Sequence, residues 1–201
     1  MYIKILKPLS DWILALLSLM ILLPFFIIIA LAIKIDNPGP VFFMQKRLGQ
    51  KGKIFTLIKF RSMVYGIENM VPTKLLYEND PRITRVGRFI RKTSIDELPQ
   101  IINVLKGEMS FIGPRPPMVH FPKRYDQYNE FELNRFKVKP GISGLAQIKC
   151  REIHDWDINI PIDVEYVRDF SFMNDLNLFL SSLSAFFRTD NVYRKDEQVL
   201  D

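Results

Sequence analysis

Residues 12–33 read "WILALLSLMILLPFFIIIALAI", a run of 22 residues without a charge. A helix rises about 1.5 Å per residue, so this run is long enough to cross a bilayer. It differs from a signal peptide because its apolar stretch is longer and because no small-residue cleavage site follows it. The run therefore predicts a membrane-inserted segment.

Pro24 lies near the middle of this run. An interior proline removes one backbone hydrogen bond, clashes with the preceding turn and costs a helix roughly 3 kcal/mol. Two arrangements follow: a kinked helix that crosses the membrane, or a helix that breaks and returns to the same face. Lys4 and Lys7 precede the run and Lys34 follows it, so the positive-inside rule does not decide between them. Positive charge at both ends is what a re-entrant hairpin shows, and its freed backbone groups would need protein partners because lipid offers none.

Residues 37–190 are expected to form one compact, water-facing domain. Segments 41–47 and 53–63 have the composition of two short strands, which the turn 48–52 joins into a β-hairpin. The other predicted elements are a helix within 88–106, a rigid proline loop, a helix over 120–136, and a turn with a short strand over 139–148. The sequence predicts an α+β fold, mostly helical, followed by a polar tail at 191–201.

A bulky apolar stripe lies further along the chain. Its members follow helical spacing: Leu176, Phe179, Leu180, Leu183, Phe186 and Phe187. Such a stripe usually packs against a core, but beside a membrane segment it also suits an amphipathic helix in the membrane interface. The sequence leaves both interpretations open.

The composition limits the chemistry available to this protein. With one cysteine, Cys150, the chain forms no internal disulfide, and its two histidines, His120 and His154, are too far apart in sequence for a His-rich metal site. The net charge of +6 conceals an uneven distribution, because residues 40–92 carry +9 and residues 93–201 carry −4. The basic segment indicates an anionic partner, such as phosphate, nucleic acid or anionic lipid, or else a solvated basic face.

Two adjacent acids, Asp96 and Glu97, lie where a helix is expected to begin, in the stretch "RKTSIDELPQIINVLKG". Ser94 stands three residues before Glu97, which is the pattern of a capping box. Acids also collect in first helical turns because they complement the helix dipole. The pair is therefore either a helix start or a reactive site.

Several cations stand near this pair or in stiff loops that could reach it: Lys59, Arg61, Arg88, Arg91 and Arg115. Guanidinium groups bind phosphate through two hydrogen bonds, and carboxylates among cations are expected to keep low pKa values. Ionised carboxylates beside phosphates require a counter-ion such as Mg²⁺, for which Asp96 and Glu97 are the candidate ligands. Adjacent helical residues point about 100° apart and cannot flank a bond as a glycosidase pair does. The residues indicate an Mg²⁺-dependent phosphoryl-transfer site with one carboxylate nucleophile.

Three features in order carry a family resemblance: the proline-interrupted apolar segment, "IDELPQIINVLKGEMSFIGPRP" and "VKPGISGLAQI". Together they resemble the small monotopic phosphoglycosyl transferases of bacteria, the bacterial sugar transferase family, from residue 7 to about residue 188. The length is similar to the minimal catalytic form of that family, without the additional membrane helices of larger members. Leu23 departs from the serine that often precedes the proline in the family, which leaves a re-entrant hairpin less supported.

The resemblance implies a reaction in which a sugar-1-phosphate moves from a UDP-sugar to polyprenyl phosphate, with release of UMP. Asp96 would attack the β-phosphate and carry a covalent phosphosugar intermediate, and Glu97 would assist at Mg²⁺ or position the nucleophile. The remaining site candidates by motif are Arg91, Arg115, Arg88 and Lys59 for substrate phosphate, and Asp163 as support. This would be the first membrane step of a bacterial glycan assembly.

The resemblance also implies a location and partners. Residues 1–36 would form a re-entrant helix–break–helix that turns back at Pro24, with amphipathic helices of the catalytic domain in the interface. The protein would lie on the cytoplasmic face of the bacterial inner membrane and contact its lipid, without binding nucleic acid. A homodimer and downstream glycosyltransferases are further expected partners. Two rival hypotheses are a non-enzymatic, membrane-anchored basic protein that binds polyanions and a membrane phosphatase that forms an aspartyl-phosphate.

Overall fold

The protein is described by a computed structural model that covers residues 2–66, 80–150 and 155–186. The helices are α1 (Lys7–Asp36), α2 (Arg85–Lys92), α3 (Ile101–Leu105), α4 (Glu130–Leu133), α5 (Leu145–Lys149), α6 (Trp156–Arg168) and α7 (Phe172–Phe186). The strands are β1 (Phe42–Leu48), β2 (Ile54–Phe60), β3 (Ser110–Ile112) and β4 (Gly141–Ser143). The predicted α+β fold, mostly helical with a short antiparallel hairpin, is confirmed. The tail predicted at 191–201 lies outside the described residues.

A π-helical turn, Tyr2–Leu6, leads into α1, which is one continuous helix of 30 residues. Pro24 lies inside this helix, so the structure has one helical element where two were predicted. The predicted return to the same membrane face stays a prediction. The proline removes a single backbone hydrogen bond. Leu22 before it and Phe26 after it pack against the protein core, and these contacts hold the turns on both sides of the proline in place.

Helix α1 lies against the rest of the protein along its whole length. Its inner side repeats at intervals of three or four residues, as one face of a helix does: Lys7, Asp11, Ala15, Phe26, Ile29 and Ile33 are buried, and Leu19 and Leu22 are partly buried. Its outer side is apolar and exposed. Of the part of the chain that the structure describes, α1 is the one helix long and apolar enough to cross a membrane. Both of its ends and its middle nevertheless contact the same domain.

Two hydrophobic clusters join α1 to the hairpin and the short helices. Ala15 packs with Phe55 and Leu57 of β2 and with α3. The second half of α1 packs with Phe60 of β2 and with Ile90 of α2. The apolar helix is thus one wall of the protein core.

A buried asparagine fixes α3 to the free edge of the hairpin. Asn103 has no exposed surface; its side chain accepts a hydrogen bond from the N–H of Ile58 (3.1 Å) and donates one to the carbonyl of Thr56 (2.7 Å). The same amide donates to Glu108 (2.7 Å). The amide therefore takes the place of a neighbouring strand beside β2. Because Lys59 follows Ile58 directly, this contact also sets the position of Lys59.

Strands β3 and β4 pair in parallel and carry the proline loop, residues 113–117. The two backbones are so close that a Cβ at Gly141 would lie 2.1 Å from the backbone nitrogen of Gly113. Glycine is required there because any side chain would separate the strands.

Two predicted elements differ from the structure. Within 139–148, predicted as a turn followed by a short strand, the strand is β4 (Gly141–Ser143), and the residues from Leu145 onward belong to α5. Strand β4 ends at Ser143, where its pairing with the three-residue β3 ends. The helix predicted over 120–136 is divided into α4 and two 3-10 turns. The division follows from Asn129, whose side chain accepts a hydrogen bond from the N–H of Glu132 and so starts a new helix inside the segment.

Helix α7 packs with one side only. Leu178 is buried on that side, and Ser182 donates a hydrogen bond to Ser143 (2.7 Å). The other side contains three of the four members of the predicted stripe whose side chains are described, with exposed fractions of 38% for Leu176, 55% for Leu180 and 48% for Leu183. Core packing therefore does not account for these three leucines. Phe187 and the side chain of Phe186 lie outside the described residues.

A buried carboxylate ties α7 to the start of α1. Asp175 accepts hydrogen bonds from Nζ of Lys7 (2.7 Å), from the hydroxyl of Tyr2 (2.6 Å) and from the hydroxyl of Tyr166 on α6 (2.7 Å). The ammonium group and the two hydroxyls offset the cost of burying the Asp175 carboxylate away from water. The beginning of the apolar helix is thereby fixed to the α6–α7 corner.

Candidate active site

Asp96 and Glu97 lie in a 3-10 turn, Ile95–Gln100, between α2 and α3. The predicted capping box is wrong, because Ser94 has a left-handed backbone (φ 55°) and its side chain makes no cap hydrogen bond. The carboxylate of Glu97 is directed to Lys59 on β2 instead, with Nζ 2.5 Å from Oε1. The turn at Ser94 therefore directs the acidic pair towards the hairpin.

The carboxylate of Asp96 has no hydrogen-bond partner among the residues that the structure describes. Burial raises its pKa to about 6; the charge of Glu97 adds to this rise, and the charges of Lys59, Arg91 and Arg115 oppose it. The expectation of a low pKa is wrong for Asp96, because the loss of water around the carboxylate outweighs the cations. At neutral pH the group is still mainly ionised, so it presents an oxygen anion with no donor attached.

The pKa of Glu97 moves in the opposite direction. Burial disfavours its charged form, but the charges of Lys59 and Arg115 and the hydrogen bonds from Lys59 and Gln100 outweigh burial and lower the pKa to about 2. Nη2 of Arg115 lies 3.9 Å from Oε1 of Glu97. The two neighbouring carboxylates thus differ: Glu97 is paired with Lys59 and Arg115, whereas Asp96 has no hydrogen-bond partner among the described residues.

The backbone around Arg115 is fixed by four consecutive carbonyls, each of which accepts a hydrogen bond from a different part of the fold. The donors are the N–H of Gly141 to Pro114 (3.0 Å), Nη2 of Arg135 to Arg115 (2.7 Å), Nη1 of Arg47 to Pro116 (3.1 Å) and the N–H of Leu48 to Pro117 (2.9 Å). The side chain of Arg115 remains 44% exposed. A rigid backbone therefore presents an accessible guanidinium beside the acidic pair.

One of these donors belongs to a buried ion pair. Arg135 and Asp163 have side chains that are each 1% exposed, and Nη2 of Arg135 lies 2.6 Å from Oδ2 of Asp163. The backbone N–H of Arg115 also faces Asp163 and favours its charged form. Asp163, predicted as a supporting residue, thus lies behind the proline loop and is connected to Arg115 through Arg135.

The acidic pair suits a magnesium ion that is shared with a ligand. Mg²⁺ is usually held by one or two carboxylates together with phosphate oxygens and water. Asp96 offers a carboxylate without a donor, and Glu97 offers its second oxygen. Over residues 2–66, 80–150 and 155–186, no group of three or more His, Cys, Asp or Glu side chains could hold a metal on its own. The residues therefore fit an ion that binds together with a phosphate ligand.

A comparison with known families matches the description "Bacterial sugar transferase" to residues 2–189, nearly the whole chain. The chain belongs to the bacterial sugar transferase family. This agrees with the motifs around Asp96 and Arg115, and it gives no support to the alternative of a non-enzymatic polyanion-binding protein.

Curated relatives of this bacterial sugar transferase are longer proteins. A UDP-glucose:undecaprenyl-phosphate glucose-1-phosphate transferase of Escherichia coli K12 is 43% identical over 189 residues, which cover 91% of this chain and 40% of the relative. A protein of the same description from Xanthomonas campestris is 40% identical over 89% of this chain and 38% of its own length. A UDP-N-acetylgalactosamine-undecaprenyl-phosphate N-acetylgalactosaminephosphotransferase of Aeromonas hydrophila is 39% identical over 86% of this chain and 41% of its own length. The chain thus spans about two fifths of the relatives it matches.

In the fold of this bacterial sugar transferase, three of the five predicted cations lie close enough to the acidic pair to act on the charge of Asp96. Lys59, Arg91 and Arg115 all act on the charge of Asp96, and Arg91 also lies 3.4 Å from the hydroxyl of Ser62. Arg88 is exposed on α2 and is not among the main groups that shift the pKa of Asp96 or Glu97. Arg61 is buried and donates to Asn37 at the end of α1.

The sequence did not identify Arg47 and Gln100 as site residues. Arg47 lies on β1 opposite Phe55 and donates to Pro116 in the proline loop. Burial lowers its pKa to about 10, the neighbouring charge of Arg115 adds to the decrease, and Glu97 opposes it. Strand alternation could have placed Arg47 on the inner face with Phe55. Gln100 carried no comparable signal, because its contact with Glu97 depends on the 3-10 turn.

The titration of Asp96 provides a prediction about this bacterial sugar transferase. We expect the Asp96 carboxyl to titrate near pH 6 in the protein without Mg²⁺, measured by ¹³C NMR of the side-chain carboxyl. Glu97→Gln removes a negative charge and lowers this pKa, whereas Lys59→Met removes a positive charge and raises it. Activity should fall as the pH falls through the same value, because only the ionised form is a nucleophile.

The matched control for this titration is Lys46→Met, which removes an exposed charge from the same hairpin. This substitution should leave the pKa of Asp96 unchanged. An Asp96 pKa below 4 in the unmodified protein would contradict the dominant effect of burial.

Proposed function

We propose that this chain transfers a sugar-1-phosphate from a UDP-sugar to polyprenyl phosphate and releases UMP. The observation that carries the proposal is the carboxylate of Asp96, which has no hydrogen-bond donor in the described part of the chain and is acted on by the charges of Lys59, Arg91 and Arg115. Such an arrangement offers one nucleophile and several phosphate-binding cations. Relatives from two organisms are described as UDP-glucose:undecaprenyl-phosphate glucose-1-phosphate transferases, which supports this donor and acceptor.

The first step takes place on the donor diphosphate. An oxygen of Asp96 attacks the β-phosphorus, an acyl phosphate bond forms, and the bond from that phosphorus to the bridging oxygen breaks. UMP leaves with the bonding electron pair. Arg115 and Arg91 bind the phosphate oxygens as charge shifts towards the leaving group, and the fixed backbone of Arg115 keeps its guanidinium in position without reorganisation.

The second step transfers the phosphosugar to the lipid. A phosphate oxygen of the polyprenyl phosphate attacks the same phosphorus, a diphosphate bond forms, and the carboxylate of Asp96 leaves unchanged. Glu97, held by Lys59, keeps the cations in place through both steps. A Mg²⁺ ion held by Asp96 and Glu97 would supply charge neutralisation of the phosphate oxygens.

The function test uses mass spectrometry of the intact protein after incubation with Mg²⁺ and a panel of UDP-sugars, without lipid. We expect a mass gain of one sugar phosphate that maps to Asp96, with one UMP released per adduct, and loss of the adduct when polyprenyl phosphate is added. Release of UMP that occurs only with lipid, and without an adduct, would replace the two-step route by direct transfer. No UMP under either condition would overturn the proposed activity.

We also propose that the protein enters the cytoplasmic leaflet of the bacterial inner membrane from one side. The support is the continuous contact of the inner side of α1 with the domain and the exposed apolar residues on its outer side. A helix of 30 residues is about 45 Å long and would carry the domain through the bilayer if it spanned it. The exposed leucines of α7 would lie in the same interface.

Cysteine accessibility tests this placement. Lys4→Cys and Lys34→Cys, each with Cys150→Ser, place a thiol before and after the apolar run at exposed positions. Both should react with a membrane-impermeant reagent in inverted vesicles and neither in intact spheroplasts. A control thiol at Met20, on the exposed outer side of α1, should react only after detergent is added. Reaction of the two terminal thiols from opposite sides would show a spanning helix.

A further inference from the structure

The outer face of α2 carries four exposed residues at helical spacing i, i+3, i+4 and i+7: Arg85, Arg88, Phe89 and Lys92. Phe89 is 58% exposed. The helix contains no acidic residue. Among the described residues, no acid forms an ion pair or a hydrogen bond with any of the three cations. This face therefore combines three unneutralised charges with an exposed aromatic ring.

The inner face of α2 explains why these residues point outward. Gly87 and Ile90 are buried, and Ile90 packs with Phe26, Ile29 and Ile33 of α1. Thr84 caps the helix by accepting the N–H of Gly87 (2.9 Å). The helix is thus held by its apolar side against α1, and its cationic side has no acidic partner among the described residues.

The cationic face continues the apolar outer side of α1. The N–H of Val86 donates to Oδ2 of Asp36 at the end of α1 (2.9 Å), so Arg85 stands directly beside that end. The last turns of α1 expose Leu31 (58%) and Ile35 (83%), and Lys34 between them is also exposed. The surface therefore changes from apolar on α1 to cationic on α2. A bilayer has the same order, from acyl chains to headgroups.

We propose that the outer face of α2, formed by Arg85, Arg88, Phe89 and Lys92, binds the headgroups of anionic phospholipids at the membrane surface. The guanidinium groups would pair with lipid phosphates, and the ring of Phe89 would lie at the boundary of the acyl chains. This inference rests on the one-sided membrane placement proposed above. It gives Arg88 a lipid ligand instead of a substrate phosphate, which agrees with its absence from the main groups that shift the pKa of Asp96.

Simple binding to vesicles cannot test this proposal, since the apolar side of α1 dominates membrane affinity. The experiment therefore reports on lipid contacts at one residue. Phe89→Cys, with Cys150→Ser, is labelled with bimane and placed in nanodiscs that contain either spin-labelled phosphatidylglycerol or spin-labelled phosphatidylcholine. We expect phosphatidylglycerol to quench the fluorophore more strongly, with a local enrichment on the order of 10-fold that decreases with added salt.

Two triple variants of the labelled protein separate location from net charge. Arg85→Gln, Arg88→Gln and Lys92→Gln together should abolish the preference for phosphatidylglycerol. The matched control replaces three exposed lysines of the hairpin, Lys46, Lys51 and Lys53, by glutamine. It removes the same charge from the same basic segment and should retain the preference.

Each outcome of the quenching experiment decides the proposal. Equal quenching by both lipids, or equal loss in both triple variants, would overturn a specific site on α2 while leaving the membrane placement intact. Absence of quenching by either lipid would overturn the inference as well, and the thiols at Lys4 and Lys34 would then show whether the placement also fails. The adduct on Asp96 is unaffected by these results, so the proposed activity is tested separately.

Discussion

Asp96→Asn should reduce sugar-phosphate transfer by about 10⁴-fold or more, because the amide cannot form the acyl phosphate and no second carboxylate can take over. Glu97 is the neighbouring candidate, but Lys59 holds its carboxylate at 2.5 Å and its pKa is lowered to about 2. The measurement is single-turnover release of UMP from the UDP-sugar that labels the unmodified protein. Residual activity within about 10-fold of that protein would contradict the role of Asp96 as the nucleophile.

The same substitution should increase stability. The pKa of Asp96 is raised to about 6 in the folded protein, so the ionised carboxylate opposes folding above its unfolded pKa. At pH 7 the asparagine variant should therefore unfold at higher urea concentration, with a gain of about 1–2 kcal/mol. The gain should shrink as the pH falls from about 6 to about 4, and it should disappear below about pH 3, where the Asp96 carboxyl is protonated in both the folded and the unfolded state. Asp126→Asn, which changes an exposed acid, is the control and should alter neither activity nor stability.

The second prediction concerns the ion pair behind the proline loop. Asp163→Asn leaves Arg135 buried without its carboxylate and should destabilise the protein by about 3–5 kcal/mol. The control is Glu165→Gln on the same helix, which breaks an exposed pair with Lys149 and should cost less than about 1 kcal/mol. Urea unfolding in a fixed detergent measures both changes.

A double variant separates stability from positioning. Arg135→Met with Asp163→Leu removes both buried charges and should recover most of the lost stability. Activity should nevertheless be about 10- to 100-fold lower than in the unmodified protein. The carbonyl of Arg115 loses its donor when Arg135 is replaced, so the backbone no longer holds the Arg115 guanidinium in place. Full recovery of activity together with stability would show that Arg115 does not depend on this pair.

The local motifs indicated which residues form the candidate site. Asp96, Glu97 and Arg91 lie within seven residues, and Arg115 stands between prolines, so residue type and spacing indicated them. The hairpin was recognised from its turn and its β-branched and aromatic residues. The hairpin prediction is confirmed, and it depends only on a short stretch of chain. The roles of the site residues stay predictions.

The missed features depend on contacts between distant segments. Arg135 supports Arg115 from 20 residues away, and Asn103 holds β2 from 45 residues away. Ser94 shows the opposite error, because a local capping pattern was overridden when Lys59 attracted the carboxylate of Glu97. Pro24 failed as a helix breaker for a similar reason, since packing of the flanking turns outweighed one lost hydrogen bond. Tertiary contacts decided all of these cases.

The way α1 packs has a practical consequence for producing this protein. An apolar N-terminal helix is commonly deleted to obtain a soluble enzyme, but Ala15, Phe26 and Ile33 of this helix complete the hydrophobic core. Deletion would uncover the apolar sides of β2, α2 and α3 and leave Asp175 without Lys7. To obtain a water-soluble form, the helix should be kept and its exposed apolar residues, such as Met20 and Ile28, should be replaced by polar residues.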